Sequence, residues 1–518
     1  MSVTALVVVF VGGLLCALGC EPFGWWILPW FGLAPLCWSL SRSKSYRNNI
    51  LLGLSWGLGY HGLSLCWVLG IHPMTWLGVP WFYSILIALG CWLLVSLWGA
   101  SLVVVWCIGL TFINRVTTKK RSHILFGVAL WLALESLYNH TPLYWSSLAL
   151  TQSPHNLNIL QLGSLTGSSA ISALLVTVNV LLAQSFLFYR TNSKKSIYRV
   201  LGAIGVYSLA WAVGLVLYQR PLSSEHSFKI GLIQGNIANE IKLYPAGFKK
   251  AIAGYTTGYE QLTEQGAQLV ITPETALPFA WDSQIKNGSF YRAILENKVP
   301  VLLGGFGRAK GGYTNSLFMV NSDGQLLGRY DKAKLVPLGE YIPFEEIFSK
   351  VIQRLSPLKN SLQAGSEDQI LNTPFGKVIV GICYESAYPE LFRRQTRAGG
   401  LYIVTVSNDA HYSKAMPAQH HAQDVMRAIE NDRWSARVTN TGYSAIISPR
   451  GDLIWRSSLN HYQTFVDTIY TQNSQTPYVL YGDSLTWSLL LLAGIDLFFI
   501  GRRQKTSKIK ESQAPNQY

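Results

Sequence analysis

Charge is what this sequence has least of. Asp, Glu, Lys and Arg make up 13% of its 518 residues, against roughly 25% in a soluble globular chain. Hydrophobic residues reach 49% and the mean hydropathy is +0.22, which excludes a disordered chain, where low hydrophobicity and high charge go together. Cysteine is sparse as well. Cys16, Cys20, Cys37, Cys66, Cys91 and Cys107 all fall in the first part of the chain, and Cys383 stands alone in the remainder. A small disulfide scaffold is excluded, and residues 220–484 contain no pair to bridge. A phosphate-cradling loop is also missing. Gly304-Gly305-Phe306-Gly307 reads as a turn after a strand and lacks the lysine and helix start of a nucleotide site. The most telling absence is of Lys and Arg from three short loops, around Glu21, around His72 and over 139–164.

Between such loops lie apolar stretches near 3–20, 24–40, 50–70, 80–112, 124–138, 165–189 and 200–218, with another near 485–500. Most approach the roughly 20 residues that span hydrocarbon. The basic residues sit in the other loops: Arg42, Lys44 and Arg47; Arg115, Lys119, Lys120 and Arg121; Arg190, Lys194, Lys195 and Arg199; and Arg502, Arg503, Lys505, Lys508 and Lys510. Alternation of this kind follows the rule that basic loops stay in the cytoplasm. It predicts eight transmembrane helices, both termini cytoplasmic, and residues 220–484 outside. The net charge of +15 is then topological, because 220–484 holds 26 basic against 23 acidic residues. Nucleic acid is not an expected partner; the bilayer is. The 18 Trp and 26 Tyr suit membrane interfaces. Ala17-Leu18-Gly19-Cys20 faintly looks like a lipoprotein cleavage site but has no basic segment before it, so the first stretch is expected to be retained. Glu135 and His61 lie inside apolar stretches, where a polar group is costly and has either a functional or a structural partner.

Residues 220–484 change character. Strand-like runs at Phe228–Ile233, Gln268–Thr272, Val301–Gly305, Ser316–Val320, Leu326–Tyr330, Lys377–Ile382 and Tyr402–Val406 alternate with helical patterns over 246–264 and 418–433. A meander follows through Ser435–Asn440, Ser444–Ser448 and Leu453–Trp455. Helices interleaved with strands and hairpins predict an α/β domain of two sheets covered by helices. The organisation is therefore a membrane domain (1–219, seven helices), an extracytoplasmic domain (220–484), and an eighth helix with a basic cytoplasmic tail (485–518).

Cys383 ends an apolar strand, where ligand sites of α/β sheets gather. Glu274 follows the strand ending at Thr272, and Lys332 follows the strand through Leu326–Tyr330. A thiol nucleophile needs a base for its proton and a cation or donor for the developing oxyanion. Glu, Cys and Lys can fill those roles.

Pro273-Glu274, then Tyr330-Asp331-Lys332 with Gly339-Glu340-Tyr341, then Gly381-Ile382-Cys383-Tyr384-Glu385-Ser386 resemble the Glu–Lys–Cys triad of the nitrilase, or carbon–nitrogen hydrolase, superfamily. With the eight-span layout, the chain is similar to the membrane branch of that superfamily, the apolipoprotein N-acyltransferases. The likeness extends through 232–236, 313–316, 335–343, 407–410, 427–430 and 439–442. The resemblance implies a nitrilase-like αββα sandwich on the periplasmic side of a bacterial inner membrane, and an acyltransferase working by ping-pong through a thioester on Cys383. Glu274 would be the base and Lys332 the oxyanion stabiliser, with Glu340, Tyr384 and Glu385 supporting them. The implied partners are a phospholipid acyl donor and a diacylglyceryl-modified apolipoprotein acceptor; the chain would act as a monomer, without a cofactor. A membrane-tethered amidase hydrolysing a small amide, or a non-catalytic membrane scaffold, are the competing functions.

Two positions depart from the family pattern. Leu243-Tyr244 stands where Trp commonly follows Ile-Lys, and His411-Tyr412 stands where Trp-Phe is common. Leu243, His411 and Tyr412 are accordingly candidate substrate-binding residues. His411, His420, His421 and Asp424 could be read as metal ligands, with His420 and Asp424 one turn apart on a helix. Nothing in the implied chemistry calls for a metal, and none is expected. Trp434 and the 418–433 helix read as core.

Overall fold

Before residue 220 the apolar stretches become helices: Val3–Ala17, Tyr46–Ser64, Trp81–Val116, Lys120–Asn139, Ser168–Phe188 and Ser193–Gln219, with Ser484–Ser512 near the end of the chain. The computed structural model describes residues 2–117, 120–222, 225–279, 286, 288–342, 361–410 and 412–512. Among these, four helices are long and apolar enough to cross a membrane: Trp81–Val116, Ser168–Phe188, Ser193–Gln219 and Ser484–Arg502. Leu201, Ile204, Leu209 and Val216 on the third of these are 56–70% exposed, an apolar face that lipid would cover. The stretch expected over 24–40 is not one helix. It forms two short ones, Pro29–Gly32 and Ala34–Ser41, with Pro29 and Pro35 in their first turns, since proline supplies no amide hydrogen to an ongoing helix. A Cβ on Gly13 would lie 2.2 Å from the Trp56 carbonyl oxygen. Glycine there lets Val3–Ala17 and Tyr46–Ser64 approach backbone to backbone.

Glu135 and His61 have structural partners. Glu135 accepts from the Leu148 amide (2.8 Å), Ser147 Oγ (3.3 Å) and Ser172 Oγ (2.6 Å), and His61 Nδ1 lies 2.8 Å from Ser146 Oγ. Both therefore anchor the loop at 146–148 to the helices beneath it.

The second part of the chain forms two six-stranded sheets. In chain order the strands are β1 (Ser227–Gln234), β2 (Leu269–Ile271), β3 (Val301–Ala309), β4 (Gly312–Val320), β5 (Leu326–Asp331), β6 (Leu371–Thr373), β7 (Gly376–Ile382), β8 (Tyr402–Ser407), β9 (Ser435–Thr439), β10 (Ala445–Ile447), β11 (Leu453–Arg456) and β12 (Gln463–Tyr470). One sheet runs β12-β1-β2-β3-β4-β5, the other β11-β10-β9-β8-β7-β6. Each has a parallel centre, β1-β2-β3 and β7-β8-β9, flanked by antiparallel strands. Phe228, Ile230 and Leu232 face Val378, Val380, Tyr402 and Val404 in a shared core between the sheets, joined by Trp434. The alternate residues turn outward. Ile233, Val301 and Leu303 pack with Tyr255, Tyr259 and Phe290 from helices Pro245–Glu264 and Ser289–Asn297. Ile379 and Ile403 pack with Leu391 and Phe392 of helix Pro389–Arg397. Buried on both faces, the central strands read as apolar runs. The edge strands β6 and β12 were not expected from the sequence. They are half-buried and carry weaker patterns.

One reading is corrected here. Gly304-Gly305-Phe306-Gly307 is not a turn but the middle of β3. A Cβ on Gly304 would lie 2.0 Å from the Pro273 carbonyl oxygen, so glycine lets the loop after β2 cross this strand. Helix Ala415–Asn431 covers the second sheet and reaches the first part of the chain. Its Val425, Met426, Ala428 and Ile429 share one apolar cluster with Ile159, Leu160 and Ile171.

Candidate active site

Three strand ends converge. Glu274 lies beyond the carboxyl end of β2, Lys332 directly after β5, and Cys383 directly after β7. Register explains part of the convergence. Ser316 of β4 pairs with Asp331 of β5, and the Lys332 amide donates to the Asn315 carbonyl at 2.8 Å, which sets Asn315 beside Lys332. Lys332 Nζ then lies 3.1 Å from Glu274 Oε1 and 2.9 Å from Glu340 Oε2. Asn315 Nδ2 donates to both carboxylates, at 2.6 Å to Glu274 and 2.8 Å to Glu340. The Val336 amide donates to Glu340 Oε2 at 2.8 Å. Lys242, 3% exposed, donates to the Glu274 carbonyl at 2.9 Å.

These contacts set the charges. Burial pushes Glu274 up, but Lys332, Lys242 and the Asn315 hydrogen bond outweigh it and hold the carboxyl below its ordinary range. Burial pulls Lys332 down, but the Glu274 and Glu340 carboxylates more than reverse this and keep it protonated. The Cys383 thiol is raised well above its usual range by burial, with Glu274, Asp409 and Glu340 adding to the rise and Lys332 opposing it. Burial brings Lys242 down to about 8 against the pull of Glu274. The resting site is a carboxylate, an ammonium and a protonated thiol. That arrangement suits proton removal during attack rather than a standing thiolate.

Cys383 adopts φ +53°, a left-handed conformation that a side chain makes costly and that gathers at functional sites. Glu385 braces it. Its Oε2 accepts from the Ile382 amide at 2.7 Å, and its Oε1 accepts from the Ala333 and Lys334 amides at 2.6 and 3.2 Å. Tyr330 Oη donates to both oxygens. This single carboxylate thus ties the turn after β5 to the end of β7. Burial pushes it up to about 7.

Tyr384 points away from the sheets, toward residues 1–219. Its hydroxyl donates to the Pro142 carbonyl at 2.8 Å, and its ring lies parallel to Trp145 at 5.9 Å and 7°. Tyr412 meets Trp67 edge-on at 4.9 Å and lies within electrostatic reach of Cys383. Leu243 is half-buried at the end of the short helix Asn239–Lys242, beside the lysine that holds the Glu274 loop. His411 lies outside the described residues.

The sequence reading missed Asn315, Lys242, Asp409 and His420 as members of this site. A motif containing each was noticed, but their convergence depends on strand pairing across long chain separations. The residues that could be read as metal ligands are also grouped differently. His420 Nδ1 lies 3.1 Å from Asp409 Oδ1 and His420 Nε2 lies 2.7 Å from the Cys383 carbonyl oxygen, whereas Asp424 accepts from Arg437 and Thr405. Donor atoms of Cys383, Asp409 and His420 lie within 4.8 Å of one another. Both nitrogens of His420 already face protein acceptors, which does not fit a metal ligand.

Residues 229–475 match the carbon–nitrogen hydrolase family model, and residues 12–181 match the model of the apolipoprotein N-acyltransferase N-terminal domain. A protein of Nostoc sp. described as apolipoprotein N-acyltransferase is 50% identical over 489 residues, which is 93% of this chain and 95% of that one. Proteins of the same description from Synechocystis sp. and Thermosynechococcus vestitus are 46% and 39% identical, each over 92% of this chain, and over 97% and 91% of their own lengths. With both parts of the chain matched at this identity, the protein belongs to the apolipoprotein N-acyltransferase family.

Proposed function

We propose that this protein N-acylates the terminal diacylglyceryl-cysteine of apolipoproteins, taking the acyl group from a membrane phospholipid. The observation that carries the reading is the buried constellation of Glu274, Lys332 and Cys383 at strand ends that face the membrane-type half of the chain, with the half-buried Glu340 carboxylate on Lys332. In the first half-reaction Glu274 takes the thiol proton as Cys383 Sγ attacks the ester carbonyl. Lys332 stabilises the tetrahedral oxyanion, and the collapsing intermediate expels the lysophospholipid alkoxide, which takes that proton back from Glu274. A thioester remains on Cys383. In the second, the free α-amine attacks the thioester, its proton passes to Glu274, and the amide forms as the thiolate leaves and is reprotonated. Glu340 and Asn315 hold Lys332 and Glu274 in register, and Glu385 braces the elbow that carries Cys383. Leu243, His411 and Tyr412 are assigned to binding of the substrate, its acyl chain or headgroup.

The apolar stretches and alternating basic loops support eight crossings of a bacterial inner membrane, both termini in the cytoplasm and residues 220–484 outside. Substrates already anchored in the bilayer would then reach the site at high effective concentration, and a buried thiol limits waste of the thioester on water. A monomer suffices, since one chain supplies every group. Incubation of the purified protein with phospholipid, followed by intact-mass measurement with and without hydroxylamine, tests the reading. A hydroxylamine-labile acyl adduct, absent from Cys383→Ala and discharged by a diacylated lipopeptide, is expected. Hydrolysis of a small amide with no acyl adduct would point to an amidase instead; neither activity in folded protein would point to a scaffold.

A further inference from the structure

Helix Ala415–Asn431 carries Gln419 and His420 side by side, and the two face different halves of the molecule. Gln419 is 7% exposed, and its carboxamide is saturated. Oε1 accepts from Trp145 Nε1 at 2.8 Å and Trp67 Nε1 at 3.1 Å, while Nε2 donates to the Glu21 and Ser64 carbonyls, both at 2.8 Å. A primary amide offers two acceptor sites and two donors, and all four are used. Its orientation is unambiguous, because a flip would set donors against indole N–H groups and an oxygen against two carbonyls. The partners come from separate segments of residues 1–219: the turn after the first helix, the end of Tyr46–Ser64, the turn at Cys66–Ile71, and the loop that Glu135 and His61 anchor.

His420 is fully buried. One ring nitrogen faces Asp409, itself held by Arg437 at 3.0 Å, and the other faces the Cys383 carbonyl at 2.7 Å. Both partners are acceptors, the Asp409 carboxylate on one side and the Cys383 carbonyl on the other, so the ring bridges the two. The peptide following Cys383 is planar, so fixing its oxygen also orients its N–H and helps hold the left-handed elbow. Trp145 touches the same elbow twice, edge-on to His420 at 5.6 Å and stacked on Tyr384.

We propose that Gln419 and His420 are positioning residues through which the membrane half sets the geometry of the Cys383 elbow, making that half part of the catalytic apparatus rather than a tether. The proposal rests on Cys383 being the acyl-accepting nucleophile. It is tested on the full-length protein in mixed phosphatidylethanolamine–phosphatidylglycerol micelles, by single-turnover acyl loading read as intact mass. Gln419→Leu keeps volume but loses four hydrogen bonds. The expected result is a rate constant at least about tenfold lower at saturating lipid, with half-saturation within about threefold and the burst amplitude retained. A merely structural role would lower the amplitude instead. His420→Gln, which retains a donor toward Cys383, should keep more of the rate than His420→Leu. Where Gln419→Leu does not fold, the cycle of Trp67→Phe with His420→Gln decides the matter. Trp67 reaches the elbow through Gln419 and the helix that carries His420, so the combined effect should depart from the product of the single effects by about fivefold or more. Independent effects in that cycle, or wild-type loading by Gln419→Leu, overturn the proposal. Loading that persists in Cys383→Ala would overturn the nucleophile reading itself, which separates the two failures.

Discussion

Replacing Asn315 by alanine removes a donor that bridges the buried Glu274 carboxylate and the half-buried Glu340 carboxylate, while leaving Glu274, Lys332 and Cys383 themselves in place. Its Nδ2 lies 2.6 Å from Glu274 and 2.8 Å from Glu340, and Asn315 is 2% exposed, so water does not readily replace it. A hydrogen bond to a charged group contributes about 1.5–3 kcal/mol. With about 1.4 kcal/mol per pKa unit, loss of the bond to Glu274 moves its titration up by about one to two pH units. In the wild type this carboxyl is held below its ordinary range. Its contribution to stability is therefore present above the unfolded value and lost as pH falls through the folded one. Asn315→Ala shrinks that contribution and lowers the melting temperature at neutral pH. On the proposed role of Glu274 as an ionised base, the acid limb of acyl loading against pH should shift upward by about the same one to two units, while the alkaline limb stays. Single-turnover loading followed by mass across pH 4 to 9 (about that window suffices) measures it. An acid limb left in place in folded Asn315→Ala would refute the assignment of Glu274 as the base whose charge Asn315 supports.

Two further outcomes follow from packing and charge. Gly304→Ala should displace the Glu274 loop, because the new Cβ would meet the Pro273 carbonyl oxygen at 2.0 Å; acyl loading is expected to drop more than tenfold, about the loss that ångström-scale misplacement brings, while alkylation located at Cys383 by peptide mapping shows that this thiol is still reachable. Lys332→Met leaves the buried Glu274 and the half-buried Glu340 without their shared cation, which costs about 3–5 kcal/mol when a buried pair is broken from one side. A lower melting temperature, partly recovered at acid pH where the carboxyls protonate, together with loss of loading, is the expected pattern in calorimetry and mass measurement.

Much was legible in the order of residues. Lys and Arg confined to alternate loops marked the membrane half, and apolar runs ending at Thr272, Tyr330 and Ile382 placed Glu274, Lys332 and Cys383 beyond strand ends. Those signals are local: hydropathy, charge and strand patterning act within a few residues. The break at Pro29 and Pro35 was equally present in the sequence but was hidden by an uninterrupted apolar composition.

Long-range packing decided the rest. The glycines of Gly304-Gly305-Phe306-Gly307 suggest that the strand ends in a turn, whereas pairing with β4 carries it through to Ala309, and the loop after β2 crosses it at Gly304. Asn315 joins the site through antiparallel register with β5, and Lys242 through a hydrogen bond to a loop 32 residues away. The bond from Trp67 to Gln419 spans 352 residues. The sequence by itself determined which residues could do the chemistry and on which elements they sit, because side-chain type and periodicity are properties of short segments. Only the tertiary structure decided which of them meet, since contact between distant segments is set by how sheets, helices and the membrane half pack together.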